Sequence, residues 1–142
     1  MIFWVSFINS CVVALVVMIH YGFLFQLSRI LPRLKIKPRF TLVLGVFGAL
    51  LAHTIEVWVF ATAYYWKLKF AAFGSFEGNF DGSWLDCTYI SFTTFTTLGF
   101  GDIVPLGHIR FLVGIESLTG LVLITWSASF LFYEMQKYWK VK

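Results

Sequence analysis

Apolar residues in this chain fall in long, nearly unbroken runs, where a soluble helix would space them in stripes. Crossing a membrane takes ~20 mostly apolar residues, and three runs are long enough: Ile2 to Leu27, Phe40 to Trp66 and Ile109 to Tyr133. A fourth apolar stretch, Trp84 to Phe95, is too short to span and has the length of a re-entrant helix. Ser83 and Asp86 stand at capping-box spacing before it, with Asp in the usual Glu or Gln place. Pro32 and Pro38 interrupt the chain between the first two runs, and Gly74, Gly78 and Gly82 punctuate a linker over 67–83. The pattern predicts an all-α integral membrane protein with three transmembrane helices and a re-entrant helix.

Two units follow. Residues 1–39 form the first transmembrane helix and a basic loop. Residues 40–142 comprise an outer helix 40–66, the linker 67–83, the short helix 84–95, a Gly-rich segment 96–102, an inner helix 109–134 and a short tail 135–142. The first helix is expected to be retained: it has no basic leader, exceeds a signal h-region, and is followed by no small-x-small cleavage pattern. The second span is ~40 Å long at 1.5 Å per residue, and Tyr64-Tyr65-Trp66 at its end and Trp139 past the third run suit the headgroup interface.

Composition agrees with burial in lipid, since 59% of the 142 residues are hydrophobic and only 13% are charged. The net charge of +4 does not point to nucleic acid, because its distribution follows the membrane. Arg29, Arg33, Lys35, Lys37 and Arg39 crowd one short loop, and Lys137, Lys140 and Lys142 end the chain. Basic residues in short loops mark the cytoplasmic side. The reading is a plasma-membrane protein with its N-terminus outside, residues ~67–108 extracellular and its C-terminus cytoplasmic. Cys11 and Cys87 are read as buried thiols, each behaving as a small apolar residue.

The segment after the short helix carries the chemistry. It reads Thr93-Thr94-Phe95-Thr96-Thr97-Leu98-Gly99-Phe100-Gly101-Asp102. Non-helical backbone at membrane depth must be walled by protein or face a watery cavity. Gly99 and Gly101 reach backbone angles closed to other residues, so successive carbonyls can point one way. Four such strands about an axis would stack rings of carbonyl oxygens, with Thr97 hydroxyls innermost, in place of a cation's water shell. The C-terminal end of the short helix adds partial negative charge toward the cavity, and Asp102 can anchor the strand or concentrate cations.

Thr-Thr-Leu-Gly-Phe-Gly-Asp resembles the filter of potassium channels, usually Thr-Val-Gly-Tyr-Gly-Asp, and is most similar to the variants of two-pore-domain channels. The resemblance runs from Trp84 through Phe132. It implies that Thr97, Leu98, Gly99, Phe100 and Gly101 coordinate K⁺ through backbone carbonyls, that 84–95 is a pore helix and 96–102 a selectivity filter, and that Gly120 is a hinge of the inner helix. Thr96 and Asp102 would support the filter. Leu98 and Phe100 depart from the usual pattern and bear on filter rigidity, leaving the carbonyls in place. With one pore segment per chain, four copies must close the ring, giving a homotetramer. No helix carries arginines at every third position, so a voltage sensor is not expected, and the nine residues after Tyr133 are too few for a cytoplasmic ligand-binding domain. No cofactor is expected; K⁺ as the permeant ion is the only metal assigned, and the partners are lipid, K⁺ and copies of the chain.

Ionisable groups inside the bilayer default to a functional hypothesis. Glu56 lies ~15 Å and Glu116 ~10 Å below the outer ends of their helices, near the depth of the short helix. Both are read as hydrogen-bonding behind the filter, to Ser91, Thr93 or Tyr89, and as filter support. His53 shares a face with Glu56, but two ligands are too few for a metal, and His20 is read as an interfacial residue. Phe70, Phe73, Phe76 and Phe80 would dip into the outer leaflet or cover a neighbouring subunit. The rival functions are a weakly selective cation channel, a non-conducting regulatory subunit and an intramembrane enzyme using His53, Glu56 and Glu116; the last leaves the Gly-Phe-Gly segment unexplained. A structural role for Glu56 predicts that currents through Glu56→Gln channels keep the wild-type response to pH, and a lost response would make it a proton sensor.

Overall fold

A computed structural model describes residues 2–138; Trp139, Lys140 and Lys142, assigned above to the inner interface and tail, lie outside the described residues. Helix α1 spans Ile2–Ile30 and runs into a short 3-10 turn, Leu31–Arg33, that carries Pro32. Helix α2 spans Pro38–Lys67. It begins two residues before the expected 40 because Pro38 occupies the first turn, where a missing N–H costs nothing. The short helix α3 spans Trp84–Phe95, and α4 spans Ile109–Tyr138. Among the described residues, three of the four α-helices, α1, α2 and α4, are long and apolar enough to cross a membrane. Their outer faces carry exposed Phe3, Trp4, Met18, Phe47 and Leu118, an apolar surface that only lipid or protein can cover. The chain is a multi-pass membrane protein.

Ser83 caps α3: its Oγ accepts from the Asp86 N–H at 3.1 Å. The reciprocal half of the capping box is displaced, because Asp86 Oδ2 accepts from the N–H of Asp81 at 2.7 Å and not from Ser83. Asp81 in turn takes the Ser83 N–H at 2.7 Å, and hydrogen bonding from Ser83 holds the Asp81 carboxyl below the usual carboxylate range.

One feature corrects the all-α expectation. Strand β1, Ser75–Gly78, pairs antiparallel with β2, Ile103–Leu106, placing Ser75 opposite Leu106 and Gly78 opposite Ile103. Four-residue strands are too short for an alternating pattern to emerge from sequence. The ribbon staples the linker to the stretch following residue 102. Gly78 has φ 108°, and a Cβ there would overlap the carbonyl of Asp102. Of the linker phenylalanines, Phe76 and Phe80 turn inward, against the expectation that they reach lipid or a neighbour, while Phe70 stays exposed. Phe76 is buried with its edge on Tyr64, ring centroids 5.4 Å apart, and Phe80 packs on Phe76 at 5.1 Å.

The core lies where α2, α3 and α4 meet, built from Val57, Phe60 and Tyr64, from Cys87, Ile90 and Phe95, and from Leu112 and Leu123. Helix α1 closes it through Val16. Near one end of α1, Lys67 donates to Asn9 Oδ1, with the Phe73 ring 5.2 Å from the ammonium. At the other end of α2, Gly45, Gly48, Ala49 and Ala52 let neighbouring helices approach, as small residues do in membrane packing; a Cβ on Gly45 would come within 3.1 Å of Leu131. The tightest approach at a helical glycine is at Gly120 of α4, where a Cβ would overlap the backbone carbonyl of Phe95 at the end of α3. This contact requires glycine whether or not the helix bends there. Gly120→Ala is expected to cost ~1–3 kcal/mol through forced displacement of that backbone. Thermal unfolding in detergent checks this, and an unchanged Tm would contradict it.

Candidate functional site

The 96–102 segment is shaped by the way α3 ends. The N–H of Thr96 reaches the carbonyl of Phe92 at 3.1 Å, that of Thr97 reaches Thr94 at 2.9 Å, and that of Gly99 reaches Thr93 at 3.1 Å. The chain thus folds back on the last turn of the helix before it extends. Thr97, Gly99 and Gly101 have φ of 59°, 50° and 77°, while Leu98 and Phe100 between them have negative φ. Residues of alternating hand place neighbouring peptide groups on a common side, as in the anion-binding nests of N–H groups, with the opposite side left to carbonyls. The glycines were legible in the sequence, but Thr97 was not. A β-branched residue at positive φ is an outlier that costs roughly 1–3 kcal/mol and persists only where its surroundings enforce it. Among the described residues, Thr97 alone departs in this way outside glycine.

The segment's side chains are open in the isolated chain, with Leu98 59% and Phe100 65% exposed. Phe100 stacks on Tyr89 of α3 at 6.5 Å with the planes 5° apart. The Tyr89 hydroxyl donates to Asp102 Oδ2 at 2.7 Å, so one residue of α3 holds the far end of the segment. The Asp102 carbonyl accepts from Asn79 at 3.2 Å, tying that end to the linker.

Behind the segment, the two intramembrane acids part company. Glu116 is fully buried and meets α3: Ser91 Oγ lies 2.5 Å from its Oε1, and Tyr64 of α2 donates to Oε2. Of the three α3 partners expected for it, Ser91 is the one engaged. Thr93 bonds back to the Ile90 carbonyl at 3.0 Å, and Tyr89 serves Asp102. Ser91 Oγ is also 2.9 Å from the carbonyl of Val57. A hydroxyl has one proton to give, so Ser91 donates to the Glu116 carboxyl or to the Val57 carbonyl, and Tyr64 closes the trio by donating to the other carboxyl oxygen.

Glu56 does not reach α3. Its carboxylate takes His20 Nδ1 and His53 Nδ1, each at 2.8 Å. His53 was expected on this face, at helical spacing. His20 was read as interfacial and is instead fully buried, because α1 packs on α2 at the level of Glu56, whose carboxylate gives the imidazole its partner. No spacing within one helix signals this, since the two residues are 36 apart. The His53 ring lies 5.7 Å from Phe95, so the cluster abuts the end of α3.

Comparison with known proteins accords with this arrangement. Residues 38–137 match the family model described as "Ion channel". The chain belongs to the ion channel family, and its likeness to the pore-loop potassium channels is supported by a curated relative as well. That relative is the potassium channel protein kcv of Paramecium bursaria Chlorella virus 1, 49% identical over 39 residues, covering 22% of this chain and 42% of the viral protein. No solved structure matches. The protein is a channel-family member and not an enzyme.

The trio around Glu116 yields a test. Glu116→Gln keeps a donor toward Ser91 and an acceptor toward Tyr64 and should leave stability close to wild type. Glu116→Ala strands the buried Tyr64 hydroxyl and opens a cavity beside it, and should cost ~2–5 kcal/mol. Denaturation of the two variants in the same detergent compares them, and equal losses would refute the closed trio.

Proposed function

We propose that the chain is a subunit of a potassium-selective channel in which four copies surround one pore. The observation that carries this is the alternation of positive φ at Thr97, Gly99 and Gly101 within Thr-Thr-Leu-Gly-Phe-Gly-Asp. On this reading the carbonyls of Thr97, Leu98, Gly99, Phe100 and Gly101 line the pore and stand in for the water of a dehydrated K⁺. The Thr97 hydroxyl forms the innermost ring. Helix α3 is the re-entrant pore helix, its C-terminal end adding partial negative charge near the cation's path. Thr96 and Asp102 hold the two ends of the filter, and Glu116 holds its supporting helix.

The exposure of Leu98 and Phe100 supports assembly, since apolar side chains beside an ion path need cover from a neighbouring copy. One filter segment per chain makes that assembly a tetramer. The Thr-Leu-Gly-Phe-Gly pattern and the viral potassium channel relative both favour K⁺ as the permeant ion. The basic loop from Arg29 to Arg39 faces the cytoplasm of a plasma membrane, so the N-terminus lies outside and α4 ends inside.

Liposomes holding only this protein should take up K⁺ down its gradient and, with K⁺ and Na⁺ opposed, reverse near the K⁺ potential. Flux with a reversal potential near zero would make it a weakly selective channel, and no flux from tetrameric protein a non-conducting subunit. Gly99→Val places a branched side chain at φ 50° and should reduce K⁺ flux at least about tenfold, because the strained strand can no longer hold its carbonyls in register. Wild-type flux through that variant would remove residues 97–101 as the filter.

A further inference from the structure

A polar cluster that the 96–102 segment does not use lies between α1 and α2. Glu56 Oε1 meets His20 Nδ1, and Oε2 meets His53 Nδ1, each at 2.8 Å. One ligand atom from each of the three residues lies within 4.8 Å of the others. The two imidazoles stack with centroids 5.3 Å apart and planes inclined by 26°. His20 and Glu56 are fully buried, and 16% of the His53 side chain is open. Nε2 of His20 is buried and has no hydrogen-bond partner.

We propose that His20, His53 and Glu56 form a binding site for a divalent transition-metal ion of the zinc class. Two imidazoles and a carboxylate are a donor set that zinc takes in its three-ligand sites, with the fourth position left to water. Bonds of ~2.0–2.2 Å in a tetrahedral shell place neighbouring ligand atoms ~3.3 Å apart. That value falls between the 2.8 Å hydrogen bonds and the 4.8 Å limit of this cluster, so small side-chain rotations close it on an ion. Calcium and magnesium are disfavoured, because they seek six or more oxygens and the cluster holds a single acid.

The surroundings favour the same occupant. Trp126 stands 5.2 Å from the His20 ring and Phe95 stands 5.7 Å from the His53 ring, so the cluster is walled by aromatics. A buried carboxylate is costly without a compensating charge, and both hydrogen-bond partners of Glu56 are imidazoles, which are cationic only when protonated. A metal ion supplies that charge permanently. It also ties α1 to α2 at the level where α3 ends, giving the additional first helix a defined attachment to the rest of the channel domain. The open edge of His53 is the side from which an ion reaches the cluster.

Cobalt tests the site, since tetrahedral Co²⁺ absorbs in the visible and occupies zinc sites. Full-length protein purified in detergent and stripped with a chelator should bind about one Co²⁺ per chain with such a band, and Zn²⁺ should bleach it. His53→Asn and Glu56→Gln should each weaken Co²⁺ binding by about tenfold or more while eluting as the same oligomer as wild type. His53, being partly open, is the ligand whose replacement disturbs packing least. The proposal is overturned if stripped wild-type protein gives no visible band and retains no Zn²⁺ after dialysis. It is equally overturned if the variants, eluting normally, bind Co²⁺ as wild type does; the cluster would then be a hydrogen-bonded proton site. The readout is independent of ion conduction, so it stands apart from any result on K⁺ flux.

Discussion

A peptide group without a hydrogen-bond partner is far more expensive in hydrocarbon than in water, and that constraint orders this chain. Helices α1, α2 and α4 satisfy it internally. The stretch from Thr96 to Asp102 cannot, because positive φ at three of its residues takes it out of any helix or regular strand. Its N-terminal half is partly paired by folding back on α3, through the Thr97 and Gly99 amides. Asp102 is tied to the linker through Asn79, just past the β ribbon. What lies between needs a wall or an ion. The helices and the ribbon are arranged so that this irregular segment has a rigid support on one side and is open on the other.

The support is polar where lipid proteins are usually apolar. Glu116 joins α4 to α2 through Tyr64 and to α3 through Ser91, and Glu56 joins α2 to α1 through His20. Apolar contacts alone discriminate weakly between helix faces in lipid, since the surrounding tails are equally apolar. A carboxyl with two designated partners fixes which residues face each other. The Gly120–Phe95 approach adds a steric lock beside it, seating the last turn of α3 directly on α4. Together these contacts set the position of α3, and through Tyr89 and Asp102 the position of the segment's far end.

The three long helices, the short one and its Ser83 cap were legible because each rests on local signals: run length, proline position and capping spacing. The Gly99 and Gly101 pattern was legible because glycine marks positive φ. Thr97 was hidden, since nothing in a threonine announces a left-handed backbone that its surroundings impose. The β ribbon was hidden because pairing between residues 75–78 and 103–106 is set by the fold across an intervening helix. Phe76 looked like a lipid-facing residue for the same reason, its contact with Tyr64 being tertiary. His20 illustrates the limit most directly. Its neighbour in sequence space is an apolar helix, and its neighbour in the fold is a carboxylate 36 residues away.

Leu98 and Phe100 connect the segment to assembly. Their φ values alternate with those of Thr97, Gly99 and Gly101, and their side chains are the largest exposed apolar groups in the 96–102 stretch. Phe100 is half-provided for by its stacking on Tyr89 of the same chain. Leu98 has no comparable aromatic partner within its own chain among the described residues. The proposed tetramer accounts for both at once: a neighbouring copy covers the side chains that one copy leaves open, while the carbonyls on the opposite side are left to the ion. Covering apolar side chains by assembly and replacing an ion's water are then two consequences of one alternating backbone, and neither is complete in a single chain.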